Sequence, residues 1–191
     1  MLDRTDDATR WERNSPMLRL LLLRHAKAES PAPGGSDHER ALTARGRADA
    51  ARIGGYLARH GLTPDHVLLS TATRVQQTWT CAAAELAEAP PARNVPQLYN
   101  ASADTILTAV RNLPAGTRRP LLAGHNPGLH EAVLLLTAAG PADIREQLRE
   151  GLPTAALAVI EFAAGAWSDV HPQGGRLIRF VNPRLIEAAT D

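Results

Sequence analysis

Two arginines and two histidines stand where the chain is expected to pass from strand to helix. They are Arg24-His25 after the apolar run Leu18–Leu23, Arg74 in Ser70-Thr71-Ala72-Thr73-Arg74, and His125 in Gly124-His125-Asn126-Pro127-Gly128. Each motif alone is weak, since a histidine after a strand is usually a loop or core residue and an arginine in a first helical turn is usually a solvated charge. Together they fall at one edge of one sheet, and open α/β sheets bind ligands beyond the carboxyl ends of their strands. Guanidinium forks match phosphate oxygens in pairs, so two arginines and two histidines converging there describe a pocket for a dianion.

The elements that must position these residues follow from the hydrophobic pattern. Leu18–Leu23 is apolar apart from Arg19, as expected for a parallel strand covered on both faces. Thr43 is expected to cap a helix running to about His60 and stopped by Gly61. His66–Ser70 reads as a second strand, Thr71 to about Glu88 as an alanine-rich helix, Val95–Tyr99 as a third strand and Asp104–Leu113 as a helix. Pro120–Ala123 reads as a strand, after which Asn126 at the N-cap and Pro127 at the first position open a helix through Leu136. A short helix over Asp143–Glu150, a long strand over Thr154–Phe162 and a last strand over Leu177–Val181 complete the pattern. Alternating strands and helices imply an α/β fold, a three-layer α/β/α sandwich on a mostly parallel sheet.

In this order, the motifs resemble those of the histidine phosphatase superfamily, with its phosphoglycerate mutase-like fold, and within it the small SixA-like phosphohistidine phosphatases. The resemblance is carried by Leu22-Leu23-Arg24-His25-Ala26-Lys27, Arg40-Ala41-Leu42-Thr43-Ala44-Arg45-Gly46, Ser70 through Thr78, Leu98-Tyr99-Asn100-Ala101 and Gly124 through Gly128, and it spans Met17 to about Val181. It implies that His25 is the nucleophile, transiently phosphorylated, while Arg24, Arg74 and His125 hold the transferring phosphoryl group. Lys27 is a further candidate for contact with the phosphate. These roles suit phosphoryl transfer, which is chiefly positioning and stabilisation of charge on the equatorial oxygens. Arginine charges nearby disfavour imidazolium, so His25 is expected to be neutral near neutral pH.

The chain departs from the family pattern at two places. Ala26 stands where many relatives have glycine after the nucleophile, a change associated with the SixA-like subgroup. Relatives that act on phosphate esters carry an acid after the third strand, whereas this chain has Leu98-Tyr99-Asn100-Ala101-Ser102. An alkoxide leaving group needs a proton donor, because its conjugate alcohol has a pKa of roughly 15. Phosphohistidine leaves as imidazole, whose conjugate acid has a pKa of about 6.5. The missing acid therefore favours phosphohistidine on a phosphotransfer protein as substrate. Asp37, Glu131 and Asp104 are the candidates for a substitute acid, which a phosphomonoesterase acting on a small metabolite would need.

A chain of 191 residues with 44% hydrophobic and 21% charged residues and a formal net charge of +1 carries no bias toward nucleic acid. One cysteine, Cys81, allows no internal disulfide and fits a reducing compartment, so the cytoplasm is the expected location. No apolar stretch approaches the ~20 residues that span a bilayer. Residues 1–16 carry no periodicity and are expected to be a disordered or non-native extension, with a single domain over 17–191. The remaining histidines lack metal-ligand spacing, and neither a metal nor a cofactor is expected. The expected partners are a phosphorylated protein or a small phosphate ester, with no nucleic acid or membrane, and the chain is expected to be a monomer or a weak dimer. A non-catalytic phosphoprotein-binding module is the competing class, and the free imidazole of His25 argues against it. Without a G-x-G-x-x-G turn or a Walker loop, a dinucleotide or nucleotide binder is disfavoured.

Overall fold

The computed structural model describes residues 17–189, so the reading of residues 1–16 as an extension lies outside the described residues. Strand β1 (Leu18–Arg24) carries the fold's logic in its side chains: Leu18, Leu20 and Leu22 enter one apolar cluster, Leu21 and Leu23 another, and all five are at most 1% exposed. A strand buried on both faces needs no polar alternation. Its polar interruption, Arg19, sits opposite Glu161 across an antiparallel pairing and bonds it at 2.7 Å.

The other strands are β2 (His66–Leu69), β3 (Ala92–Asn94), β4 (Pro120–Gly124), β5 (Thr137–Ala139), β6 (Leu157–Phe162) and β7 (Gly175–Val181), in the spatial order β3-β2-β4-β1-β6-β7-β5. Pairings β2–β3, β2–β4, β1–β4 and β5–β7 are parallel. Those of β6 with β1 and with β7 are antiparallel. The helices are α1 (Ala44–Arg59), α2 (Thr73–Ala83), α3 (Ala103–Arg111), α4 (Gly128–Leu136), α5 (Ala142–Glu150) and α6 (Pro183–Ala188). Helices α1 and α2 bury Ile53, Leu57, Val75 and Trp79 on the Leu21/Leu23 face. Helices α3 and α4 bury Ile106, Val110, Leu129 and Val133 on the Leu20/Leu22 face. This is the expected three-layer α/β/α sandwich, with antiparallel strands where β7 returns from β6 without a crossover helix.

Four local expectations are corrected. The third strand is not Val95–Tyr99 but Ala92–Asn94, an exposed edge strand too polar to announce itself. Val95 still donates to Leu69 O at 2.7 Å, and the chain then turns into a short 3-10 helix at Pro96, which has no N–H to continue a ladder. The helix after β2 is shorter than Thr71 to Glu88, and the strand expected from Thr154 begins at Leu157. Asn126 does not cap α4, because its side-chain amide donates instead to Leu152 O at 2.9 Å and Pro127 holds the cap position. The short elements β5 and α6 carried no legible sequence signal.

Thr43 caps α1 as expected, accepting from Gly46 N at 2.9 Å. The crossing of α1 over α2 depends on Gly54, where an added β-carbon would overlap the Ala82 carbonyl oxygen. Gly54→Ala is expected to destabilise the chain by the 1–3 kcal/mol typical of overpacking against backbone. Gly55→Ala would meet only the flexible end of Arg59, at 3.2 Å. It is expected to gain up to about 1 kcal/mol of helix propensity. Urea unfolding of the two variants should therefore shift the midpoint in opposite directions.

Candidate active site

The register of the parallel strands brings the sequence motifs together. Arg24, the last residue of β1, lies opposite Gly124, the last of β4, and Leu69 of β2 lies opposite Ala123. The ladder continues one step further, His25 N donating to Gly124 O and Ser70 N to Ala123 O, both at 3.1 Å. His25, His125 and Ser70 thus leave three adjacent strands at one level, and the two imidazole rings stand 5.3 Å apart, centre to centre.

His25 is fixed by its neighbours. Its Nδ1 lies 2.8 Å from Ala26 O, and a carbonyl only accepts, so Nδ1 carries the hydrogen and Nε2 keeps its lone pair. Burial, opposed by that hydrogen bond and reinforced by the charges of Arg74, Arg24 and Arg40, lowers its pKa to about 4. The ring is therefore neutral at physiological pH, with an unprotonated Nε2. Ala26 N in turn donates to the buried Thr78 Oγ1 at 3.0 Å, and Thr78 donates to Arg74 O at 2.6 Å. The loop after His25 and the arginine on α2 are braced by one hydroxyl.

Arg74 is the buried cation of the site, its side chain 5% exposed. Its Nη1 donates to Asp37 O at 2.6 Å, and its Nη2 donates to Asp37 Oδ2 at 2.9 Å and to His125 Nδ1 at 3.2 Å. A guanidinium only donates, so His125 carries its hydrogen on Nε2 and gives it to Ser70 Oγ at 2.8 Å. Burial first, then the Arg74 charge, lowers the His125 pKa to about 3. Both ring nitrogens of His125 are engaged, so donation to a phosphoryl oxygen requires release of one partner. Ser70 accepts from His125 and from Ala72 N at 3.4 Å, which makes it a brace. The Nε atoms of Arg24 and Arg74 are buried with no hydrogen-bond partner among the described residues. Arg24 otherwise donates from Nη1 to Leu152 O at 2.7 Å.

Asp37 sits in a 3-10 turn, Asp37–Glu39, and gathers three donors. Arg40 Nη1 reaches Oδ1 at 2.8 Å, while Tyr99 Oη and Arg74 Nη2 both reach Oδ2 at 2.9 Å. The Arg40 bond first, then those of Tyr99 and Arg74, hold this carboxyl far below the usual carboxylate range. A carboxylate so held is ionised near neutral pH. Tyr99 is raised above its ordinary value by the same bond. The tyrosine ring packs edge-on against His125 and His38, and His38 Nε2 lies 2.8 Å from Thr71 Oγ1.

Sequence reasoning assigned no role to Tyr99 or His38. The tyrosine arrives through backbone geometry: a β-carbon on Gly128 would overlap Ala101 O, so only glycine lets α4 start against the Tyr99 segment. Glu131 and Asp104 are exposed in the first turns of α4 and α3, with no recorded bond to the four central side chains among the described residues. Lys27 is exposed and lines a separate cavity with Arg45, Asp49 and Arg184.

The comparisons agree with this geometry. Residues 20–105 match the sequence profile of the histidine phosphatase superfamily, branch 1. The protein Rv1276c of Mycobacterium tuberculosis is 34% identical over 164 residues, 85% of this chain and all of that one. The structure of SixA from Agrobacterium tumefaciens, a candidate phosphohistidine phosphatase, superposes with a TM-score of 0.74 at 30% identity, covering 87% of this chain and 98% of that one. A SixA candidate from Nakamurella multipartitia gives 0.71 at 28% identity, covering 87% and 96%. Similarity that runs through the full length of these relatives, together with the motifs meeting at one sheet edge, places the chain in the histidine phosphatase superfamily as a SixA-like phosphatase.

Proposed function

We propose that this phosphatase removes phosphoryl groups from histidine on a phosphotransfer protein through a phosphorylated His25, without a cofactor. The observation that carries the reading is the pairing of a neutral imidazole with a site carboxylate that is locked in its ionised form. In the first step the Nε2 lone pair of His25 forms a bond to phosphorus as the P–N bond to the substrate imidazole breaks. The electron pair of that bond leaves with the imidazole, which takes its proton from solvent. Water then attacks phosphorus and gives a proton to solvent, the electron pair of the P–N bond returns to His25 Nε2, and inorganic phosphate departs. Arg24 and Arg74 neutralise the oxygens throughout. Arg74 has five N–H groups and spends three; of the other two, one is on the buried Nε and one on Nη1. Alkyl phosphates are poor substrates on this reading because Asp37, the carboxylate bonded into the site, is held ionised and has no proton to give an alkoxide.

Initial rates on a phosphohistidine peptide, an aryl phosphate and an alkyl phosphate test this directly. Phosphoramidate turnover should exceed alkyl-ester turnover by at least about 10²-fold, the scale of one general acid. Loss of the nucleophile in His25→Ala should abolish turnover, and an alkaline quench should trap phosphohistidine on the wild-type chain only. Faster alkyl-ester hydrolysis would overturn the reading.

The pH profile has a definite sign. With its pKa lowered to about 4, His25 is neutral and competent above that value, so single-turnover rates should fall only as pH drops through about 4, rather than through 6.5. Stability follows the same direction: the unfolded chain takes up protons near 6.5 whereas the folded chain does not, so stability is full above 6.5 and declines below it.

Asp37→Asn separates an acid from a brace. A missing acid would slow alkyl substrates far more than aryl ones, whereas loosening Arg74 should slow both by a similar factor. We expect the second pattern, read from the leaving-group dependence of kcat/KM.

A further inference from the structure

The floor beside the nucleophile is not symmetric. On one side of His25, Asp37, Arg40, Tyr99 and His38 form a bonded wall. On the other, two cavities meet at Pro153 and Asn182: one of about 530 Å³ reaching Arg24, the other of about 380 Å³ reaching Lys27. The second is charged. Lys27, Arg45 and Arg184 line it against a single carboxylate, Asp49. That carboxylate is 6% exposed and already paired, with Arg52 Nη1 at 3.0 Å and Arg45 Nε at 3.6 Å. Neither Lys27 nor Arg184 has a carboxylate partner among the described residues, and both are exposed. In a chain whose formal net charge is only +1, this concentration of uncompensated cations is local.

We infer that this basic cleft is a docking site for an acidic stretch of the phosphoprotein next to its phosphohistidine. The inference rests on the phosphohistidine reading and names the kind of partner that reading leaves open. The position fits an acidic segment in the substrate. Lys27 lies two residues beyond the nucleophile, roughly 7 Å of extended chain, so carboxylates two to four residues from the phosphohistidine would reach the cleft while the phosphoryl group meets His25. Such a segment finds no equivalent cations on the far side, where Arg40 and Arg74 are committed to Asp37. Charges of this kind at a rim steer encounter and select partners more than they add affinity, and they act within a Debye length.

Two synthetic phosphohistidine peptides of equal length, one flanked by Glu and Asp and the other by Lys, together with free phosphoramidate, make the test. The wild-type chain should process the acidic peptide with a kcat/KM about tenfold above that of the basic one at low salt, a preference that collapses at high ionic strength. The double variant Arg45→Gln/Arg184→Glu should erase the preference while turnover of phosphoramidate and the circular dichroism spectrum stay unchanged. Both positions are exposed at helix starts, and Asp49 keeps its 3.0 Å bond to Arg52 when Arg45 is replaced by a neutral side chain. A wild-type chain without flank preference, or a preference that survives the double variant, overturns the docking site and leaves the phosphohistidine reading standing. A wild-type chain inactive on all three substrates overturns the phosphohistidine reading, and the docking site with it.

Discussion

The site is governed by an excess of positive charge in a partly buried place. Two arginines and two histidines lie close together at one sheet edge, and in a medium less polar than water four cations there would repel one another strongly. The chain resolves this by keeping both imidazoles neutral and by setting one carboxylate, Asp37, against Arg74 and Arg40. Every other feature of the site follows. Neutral His25 has a free lone pair, neutral His125 can accept from Arg74, and Asp37 is held ionised. The chemistry open to the enzyme is thus set by how it solves an electrostatic problem.

The sheet supplies the precision. Because β1, β2 and β4 are parallel and in register at their carboxyl ends, three side chains from distant parts of the sequence leave the ladder at the same level. A strand packed between two apolar layers cannot slip by one residue without moving every leucine of β1 out of its packed position and parting Arg19 from Glu161. The same leucines that form the core therefore hold His25 in position, and the Thr78 hydroxyl carries that rigidity across to α2.

Much of this was legible in the residues. The run ending at Arg24-His25 announces a doubly covered strand, and Gly124-His125-Asn126-Pro127-Gly128 announces a sharp turn into a helix, so their meeting at one edge follows from α/β topology. What was not legible depends on contacts between distant loops. Nothing local marks Tyr99 as a partner of Asp37, 62 positions earlier. Asn126 has the composition of a helix cap, yet its amide is drawn to the Leu152 carbonyl, a tertiary partner that outcompetes the local one. Edge strand β3 fails the hydrophobic test because it pairs on one side only and all three of its residues are exposed, so it carries no buried apolar pattern.

The asymmetry of the Asp37–Arg74 pair bears on how a substrate enters. Arg74 is 5% exposed and pinned by three bonds, whereas the Asp37 side chain is 48% exposed on a short turn. On the proposed reading an arriving phosphoryl group, with more charge and more acceptor oxygens than one carboxylate, competes for the same guanidinium. The element free to yield is Asp37, since moving Arg74 would strip a buried cation of its bonds to His125 and to the turn. Arg40 and Tyr99 keep a grip on the carboxylate while Arg74 changes partner. The carboxylate that neutralises the empty site can in this way make room for the substrate's charge, with the buried arginine staying in place throughout.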